Sequence, residues 1–137
     1  MAYFSENHLT MALRALIVDD ESDARDNLRL LLEEECPEVQ ILVQAGSAPE
    51  AREKIQALQP NALFLDIKMP GEDGFSLLAS IAELDLPVVF TTAYDEFALR
   101  AFKQNALDYL EKPIEVEALQ RAVKKLHRLT DELGSTQ

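Results

Sequence analysis

Ala62-Leu63-Phe64-Leu65-Asp66-Ile67-Lys68-Met69-Pro70-Gly71 joins a short apolar run to an aspartate and then to a proline-glycine turn. A continuous apolar run of this length, closed by turn formers, is the pattern of a strand buried on both faces of a parallel sheet. The same pattern stands on either side of it. Leu13-Arg14-Ala15-Leu16-Ile17-Val18 runs into Asp19-Asp20-Glu21, and Asp108-Tyr109-Leu110-Glu111 leads to Lys112-Pro113. If these runs are parallel strands, their carboxyl ends meet at one edge of the sheet. Asp19, Asp20, Asp66 and Lys112 then share a small volume. Carboxylates packed that closely repel, so they call for a cation, and hard oxygen donors suit Mg²⁺.

Between the apolar runs lie stretches with helical periodicity. Strands are expected at Leu13–Val18, Val39–Ala45, Ala62–Leu65, Leu86–Thr91 and Ala106–Leu110. Helices are expected over Ser22–Glu35, from Ser47 or Ala48 to Leu58, over Phe75–Glu83 and Asp95–Lys103, and from about Glu115 to Asp131. In the first helix Ala24, Leu28, Leu31 and Leu32 fall on one face, with Ser22 as the expected N-cap and Asp20 competing for that place. Strict alternation of strand and helix predicts an α/β domain with a doubly wound parallel sheet and right-handed crossovers. In the five-strand order 2-1-3-4-5 the switch point lies between strands one and three, and both end in Asp. Ligands bind at such a point, beyond the carboxyl ends of the strands.

The chain of 137 residues fits one domain with a real core. Its formal net charge is −12, from 13 basic and 25 acidic residues, which argues against a grip on nucleic acid by this chain itself. Any role in DNA control would pass through a partner or a domain absent from this sequence. Cys36 is the only cysteine, so there is no internal disulfide and no cysteine metal cluster. No apolar stretch approaches the ~20 residues needed to span a bilayer, and the first ten residues lack the marks of a signal peptide. The cytosol is the simplest compartment, with no membrane partner. Residues 1–11 are assigned to an N-terminal extension, with Met11 as an alternative start. Residues 12–130 form the domain, and residues 131–137 a tail or the start of a linker.

Asp66 is the candidate nucleophile, since a carboxylate can attack a phosphoryl group once the negative charge is neutralised. Asp19 and Asp20 would hold the metal, with Asp66 and a backbone carbonyl near Lys68 completing the set. Glu21 is a weaker candidate for the same cluster. Lys112 would present a point charge to a phosphate oxygen, and Thr92 a hydroxyl to another. Pro113 allows a cis bond after Lys112. His8 and His127 lie outside the constellation.

The chain resembles the receiver domain of bacterial two-component response regulators over residues 12 to about 128, with a flavodoxin-like (βα)5 fold. The resemblance is carried by Leu16-Ile17-Val18-Asp19-Asp20-Glu21, Leu65-Asp66-Ile67-Lys68-Met69-Pro70-Gly71-Glu72-Asp73-Gly74, Thr91-Thr92-Ala93 and Tyr109-Leu110-Glu111-Lys112-Pro113. The stretch Thr92–Phe102, with Ala106–Leu110, is similar to receivers that precede a LytTR-type DNA-binding domain. The resemblance implies that Asp66 accepts a phosphoryl group from a sensor histidine kinase, with Asp19 and Asp20 serving Mg²⁺. It also implies that Thr92 and Tyr109 form a switch pair and that Lys112 contacts the phosphate. The face made by helix four, strand five and helix five would then change its partner preference, and it offers a surface for a homodimer. DNA would be reached only through an output domain absent from this chain.

Lys68 and Tyr94 depart from the common pattern. A long cation two residues after Asp66 and a bulky ring two after Thr92 are expected to hinder water and lengthen the phosphoryl lifetime. Three alternatives fit the site less well. An aspartyl-phosphate phosphatase of the haloacid-dehalogenase kind would want an acid where Lys68 stands. A flavodoxin would want a phosphate loop in place of Asp19-Asp20-Glu21. A receiver that only docks partners would not need the intact acid pair, acceptor, Thr92 and Lys112. Leu119, Val123, Leu126, Thr130 and Leu133 run near heptad spacing, and the first, second and third are expected to pack on the sheet.

Overall fold

The computed structural model describes residues 12–135, so the extension assigned to residues 1–11 and the end of the expected tail lie outside the described residues. The elements are β1 (Arg14–Val18), α1 (Ser22–Glu35), β2 (Gln40–Ala45), α2 (Ala48–Leu58), β3 (Ala62–Asp66), α3 (Gly74–Ser80), β4 (Val88–Thr92), α4 (Ala98–Lys103), β5 (Asp108–Glu111) and α5 (Val116–Ser135). Short 3₁₀ turns occupy Ala82–Leu84 and Asp95–Phe97. The five strands are parallel in the order β2-β1-β3-β4-β5. The expected order and fold class are therefore those observed.

Alternation along the strands divides the core in two. Leu16 and Val18 of β1, Leu63 and Leu65 of β3, and Phe90 of β4 point to one face, where Ile55 of α2 and Phe75 and Leu77 of α3 cover them. Ala15, Ile17, Phe64 and Val89 point to the other, against Leu28 and Leu32 of α1 and Leu119, Val123 and Leu126 of α5. All of β3 and β4 is buried, which is why their sequences read as unbroken apolar runs. The stripe on α5 packs on the sheet as expected at Leu119, Val123 and Leu126.

Several element ends differ from the sequence reading. The first helix is not capped by Ser22 or Asp20: Glu21 is the N-cap, and its side chain makes no capping bond. Instead the Glu21 N–H donates to Asp19 Oδ1 at 2.9 Å. The third helix stops at Ser80, where the backbone tightens into the 3₁₀ turn. The fourth begins as a 3₁₀ turn at Asp95 before becoming α-helical at Ala98. β4 starts at Val88, after Pro87, whose carbonyl still accepts from Leu63 N–H at 3.0 Å. β5 starts at Asp108, and α5 continues beyond Asp131 to Ser135. α2 starts at Ala48, the second of the two expected starts, and Ser47 is its N-cap, the hydroxyl accepting from Glu50 N–H at 3.3 Å. No helix among the described residues is long and apolar enough to cross a membrane.

Candidate functional site

β1 and β3 are neighbours in the sheet, pairing Val18 with Leu65, so the next residue of each chain emerges at the same edge. Those residues are Asp19 and Asp66, and both are buried, at 3% and 6% exposure. Asp20 follows on the exposed side. Carboxylate oxygens of Asp19, Asp20 and Asp66 lie within 4.8 Å of one another, the only such group of metal-ligating side chains among the described residues. Glu21 is not brought into it. Lys112 extends from the end of β5 across the site, with Nζ 2.6 Å from Asp19 Oδ2 and 3.6 Å from Asp66 Oδ2. The Lys112-Pro113 peptide is cis.

The electrostatics follow from that packing. Burial, and after it the Asp19 carboxylate, push the Asp66 carboxyl up to about 6, against the opposing pull of Lys112 and of the Ile67 backbone bond. Burial alone would lower the Lys112 ammonium. The hydrogen bond to Asp19 and the charges of Asp66 and Asp19 outweigh it, and Lys112 is held above its ordinary range. The ammonium thus acts as the countercharge of an acid cluster whose hard oxygen donors could hold a metal ion.

The loop after β3 is fixed from two directions. The Gly74 N–H donates to the Ile67 carbonyl at 2.7 Å, and Asp73 caps α3 by accepting from Ser76 N–H at 2.8 Å. A Cβ on Gly74 would stand 2.4 Å from the Asp66 carbonyl oxygen, so only glycine lets α3 start so close to the acceptor's backbone. On the outer side, Arg52 of α2 forms a two-pronged ion pair with Glu72 and donates from Nε to Ser80 Oγ at 3.0 Å.

Thr92, fully buried, ends β4 one residue beyond the partner of Asp66, which is Thr91. Its hydroxyl accepts from Tyr94 N–H at 3.4 Å, and its carbonyl accepts from Lys112 N–H at 2.7 Å. Tyr109 of β5 donates its hydroxyl proton to the Tyr94 carbonyl. The Tyr94 backbone therefore lies between Thr92 and Tyr109. Lys68 is exposed and places Nζ 4.7 Å from the centroid of the half-open Tyr94 ring. The two residues singled out as a shield thus touch each other.

The sequence reading missed Arg25, Arg52 and Glu72. Arg25 and Arg52 look like solvent-facing charges of amphipathic helices, and their partners are supplied by the tertiary fold. At the far end of β5, buried Asp108 accepts from Arg121 at 3.0 and 3.1 Å and pairs with Lys125 at 3.3 Å. Burial pushes the Asp108 carboxyl up, but the Arg121 hydrogen bonds and the neighbouring charges win and hold it below its usual range.

Residues 15–124 match the family described as the response regulator receiver domain. The chain is 45% identical over 117 residues to an uncharacterized response regulatory protein of Vibrio cholerae, covering 85% of this chain and 49% of that one. It is 43% identical over 121 residues to the transcriptional regulatory protein BtsR of Salmonella typhi, with 88% and 49% covered. With the sensory transduction protein LytT of Bacillus subtilis it shares 39% identity over 127 residues, with 91% and 52% covered. The chain spans about half the length of these curated relatives. Among solved structures, the REC domain of AraT, a response regulator from Geobacillus stearothermophilus, superposes with a TM-score of 0.78 at 29% identity, covering 90% of this chain and 99% of that one.

Proposed function

Since the chain belongs to the response regulator receiver domain family, we propose that it is a phospho-accepting switch driven by a sensor histidine kinase. The observation that carries this reading is the convergence of Asp19, Asp20 and Asp66 within 4.8 Å under the Lys112 ammonium. Asp66 attacks the phosphorus of a phosphohistidine. The new O–P bond forms as the P–N bond breaks, and the imidazole keeps the electron pair. Asp19, Asp20, Asp66 and the Lys68 backbone carbonyl would hold Mg²⁺, which would supply positive charge to offset that of the transferring group. Lys112 moves its charge from Asp19 to a phosphoryl oxygen, and the Thr92 hydroxyl donates to another.

That last motion is what transmits the signal. Thr92 and Tyr109 both hold the Tyr94 backbone, so turning the Thr92 hydroxyl toward a phosphoryl oxygen releases one side of that link. The α4–β5–α5 face then changes its partner preference, by shifting the populations of its arrangements. Phe102 on α4, 53% exposed, supports a homodimer through this face. The output is transcription through a LytTR-type DNA-binding domain, a reading supported by the regulators named above and by the Thr92–Phe102 sequence.

The test is intact mass after incubation with Mg²⁺ and acetyl phosphate, for this chain and for Asp66→Ala. A gain of one phosphoryl group in the parent alone is expected, and no gain in either would sink the reading. Lys68 and Tyr94 lengthen the phosphoryl lifetime by excluding water. A parent half-life of only seconds, or an unchanged one in the Lys68→Ala/Tyr94→Ala variant, would overturn that part.

A further inference from the structure

Asp19 and Asp20 are adjacent in sequence yet must aim their carboxylates at one point, one from a buried position and one from an exposed one. Their relative aim depends on the plane of the peptide between them. The carbonyl of that peptide, Asp19 O, accepts from Arg25 Nη1 at 2.7 Å. Arg25 stands on the first turns of α1 and reaches back over the end of β1. Its Nε also donates to Gln44 Oε1 of β2 at 3.3 Å. Gly46 leaves room for the guanidinium, since a Cβ there would stand 3.3 Å from Nη1. Within the same turn, the Glu21 N–H donates to Asp19 Oδ1 at 2.9 Å. The peptide plane is thus fixed by a charge-assisted bond to its carbonyl, and the Asp19 side chain by a backbone donor.

We infer that Arg25 is a positioning residue for the metal-binding carboxylates, acting through the Asp19–Asp20 peptide without touching the metal itself. This rests on the reading of the acid cluster as a Mg²⁺ site. A guanidinium suits the task because its planar fork spans two acceptors, one in the turn after β1 and one on β2, whereas an ammonium would keep one. Its bond in the acid turn is to the Asp19 backbone carbonyl. Partners of this kind, one bond removed from a metal, commonly govern 10–100-fold in affinity.

The test is calorimetric titration of Mg²⁺ into the parent, Arg25→Ala and Arg25→Lys proteins, with thermal unfolding of each in chelator. Arg25→Ala should weaken Mg²⁺ binding by about tenfold or more. Arg25→Lys, which keeps a donor for Asp19 O, should fall between the two, with a metal-free melting temperature near the parent's. Mg²⁺ binding in the parent that is unchanged in Arg25→Ala would overturn the inference alone. So would affinity that drops in Arg25→Lys as far as in Arg25→Ala, which would mean that the bond to Asp19 O is not the cause. No Mg²⁺ binding in the parent would instead remove the reading of the site, and this inference with it.

Discussion

Replacing Asp66 by asparagine should make the metal-free protein harder to unfold at neutral pH. The folded protein holds the Asp66 carboxyl at about 6, against an ordinary value of 3.8. A raised value means that the folded state binds the extra proton between those limits, so stability falls as pH climbs from 3.8 to 6. Above 6 the deficit is complete. At 1.36 kcal/mol per pH unit it comes to about 3 kcal/mol, for a carboxylate whose side chain is only 8% exposed. Asparagine keeps the shape and removes the charge, while its own buried amide offsets part of the gain, leaving about 1–3 kcal/mol. For a domain of this size that raises the melting temperature by roughly 3–10 °C. The assay is thermal unfolding followed by circular dichroism, in chelator, at pH 7.5 and pH 4. The gain should be present at the first pH and nearly absent at the second, where the parent's carboxyl is already protonated. Adding Mg²⁺ should raise the parent's melting temperature and leave the variant's almost unmoved. A variant no more stable than the parent at pH 7.5, or one equally favoured at pH 4, would refute the reasoning.

Other perturbations separate the parts of the site. Lys112→Met removes the ammonium that sits 2.6 Å from Asp19, so Mg²⁺ should bind at least a few-fold more tightly while phosphoryl uptake from acetyl phosphate falls; weaker Mg²⁺ binding would show that Lys112 does not compete with the cation. Gly74→Ala forces a Cβ against the Asp66 carbonyl and should cost about 2 kcal/mol or more in urea unfolding, with reduced phosphoryl uptake. Asp108→Asn removes the Arg121 and Lys125 pairs and should cost about 1–2 kcal/mol at pH 7, discounted because the Arg121 side chain is 51% exposed. The Asp108 carboxyl is depressed, so its contribution is present above 3.8 and lost as pH falls further. The gap between parent and Asp108→Asn should therefore close in acid, and a gap equal at pH 7 and in strong acid would mean that packing, not charge, is its source.

β1, β3 and β4 were legible because cover on both faces of a parallel sheet turns a strand into an apolar run, and the acids at the ends of β1 and β3 marked which end of the sheet they share. The strand ends were less so. Leu86 and Pro87 extend the apolar run before β4, yet the ladder begins at Val88 because proline has no N–H to donate. The break after Ser80 has no glycine or proline to announce it. Arg25 was invisible for a different reason: its acceptors sit on Asp19 and Gln44, and only the packing of α1 beside β1 and β2 brings them within reach. Sequence spacing reports what one element does, and a side chain that serves two others leaves no local period.

β5 has a hydrogen-bonded neighbour on one side only, since the sheet ends with it. It is also the shortest strand, running from Asp108 to Glu111. An inner strand that slid would break two ladders, whereas this one strains a single ladder and carries its attachments along. Those attachments differ at its two ends. Asp108 ties it to α5, and Lys112, just beyond Glu111, ties it to the acid cluster. The outermost strand is therefore the short span, Asp108–Glu111, that joins the acid cluster at one end to α5 at the other.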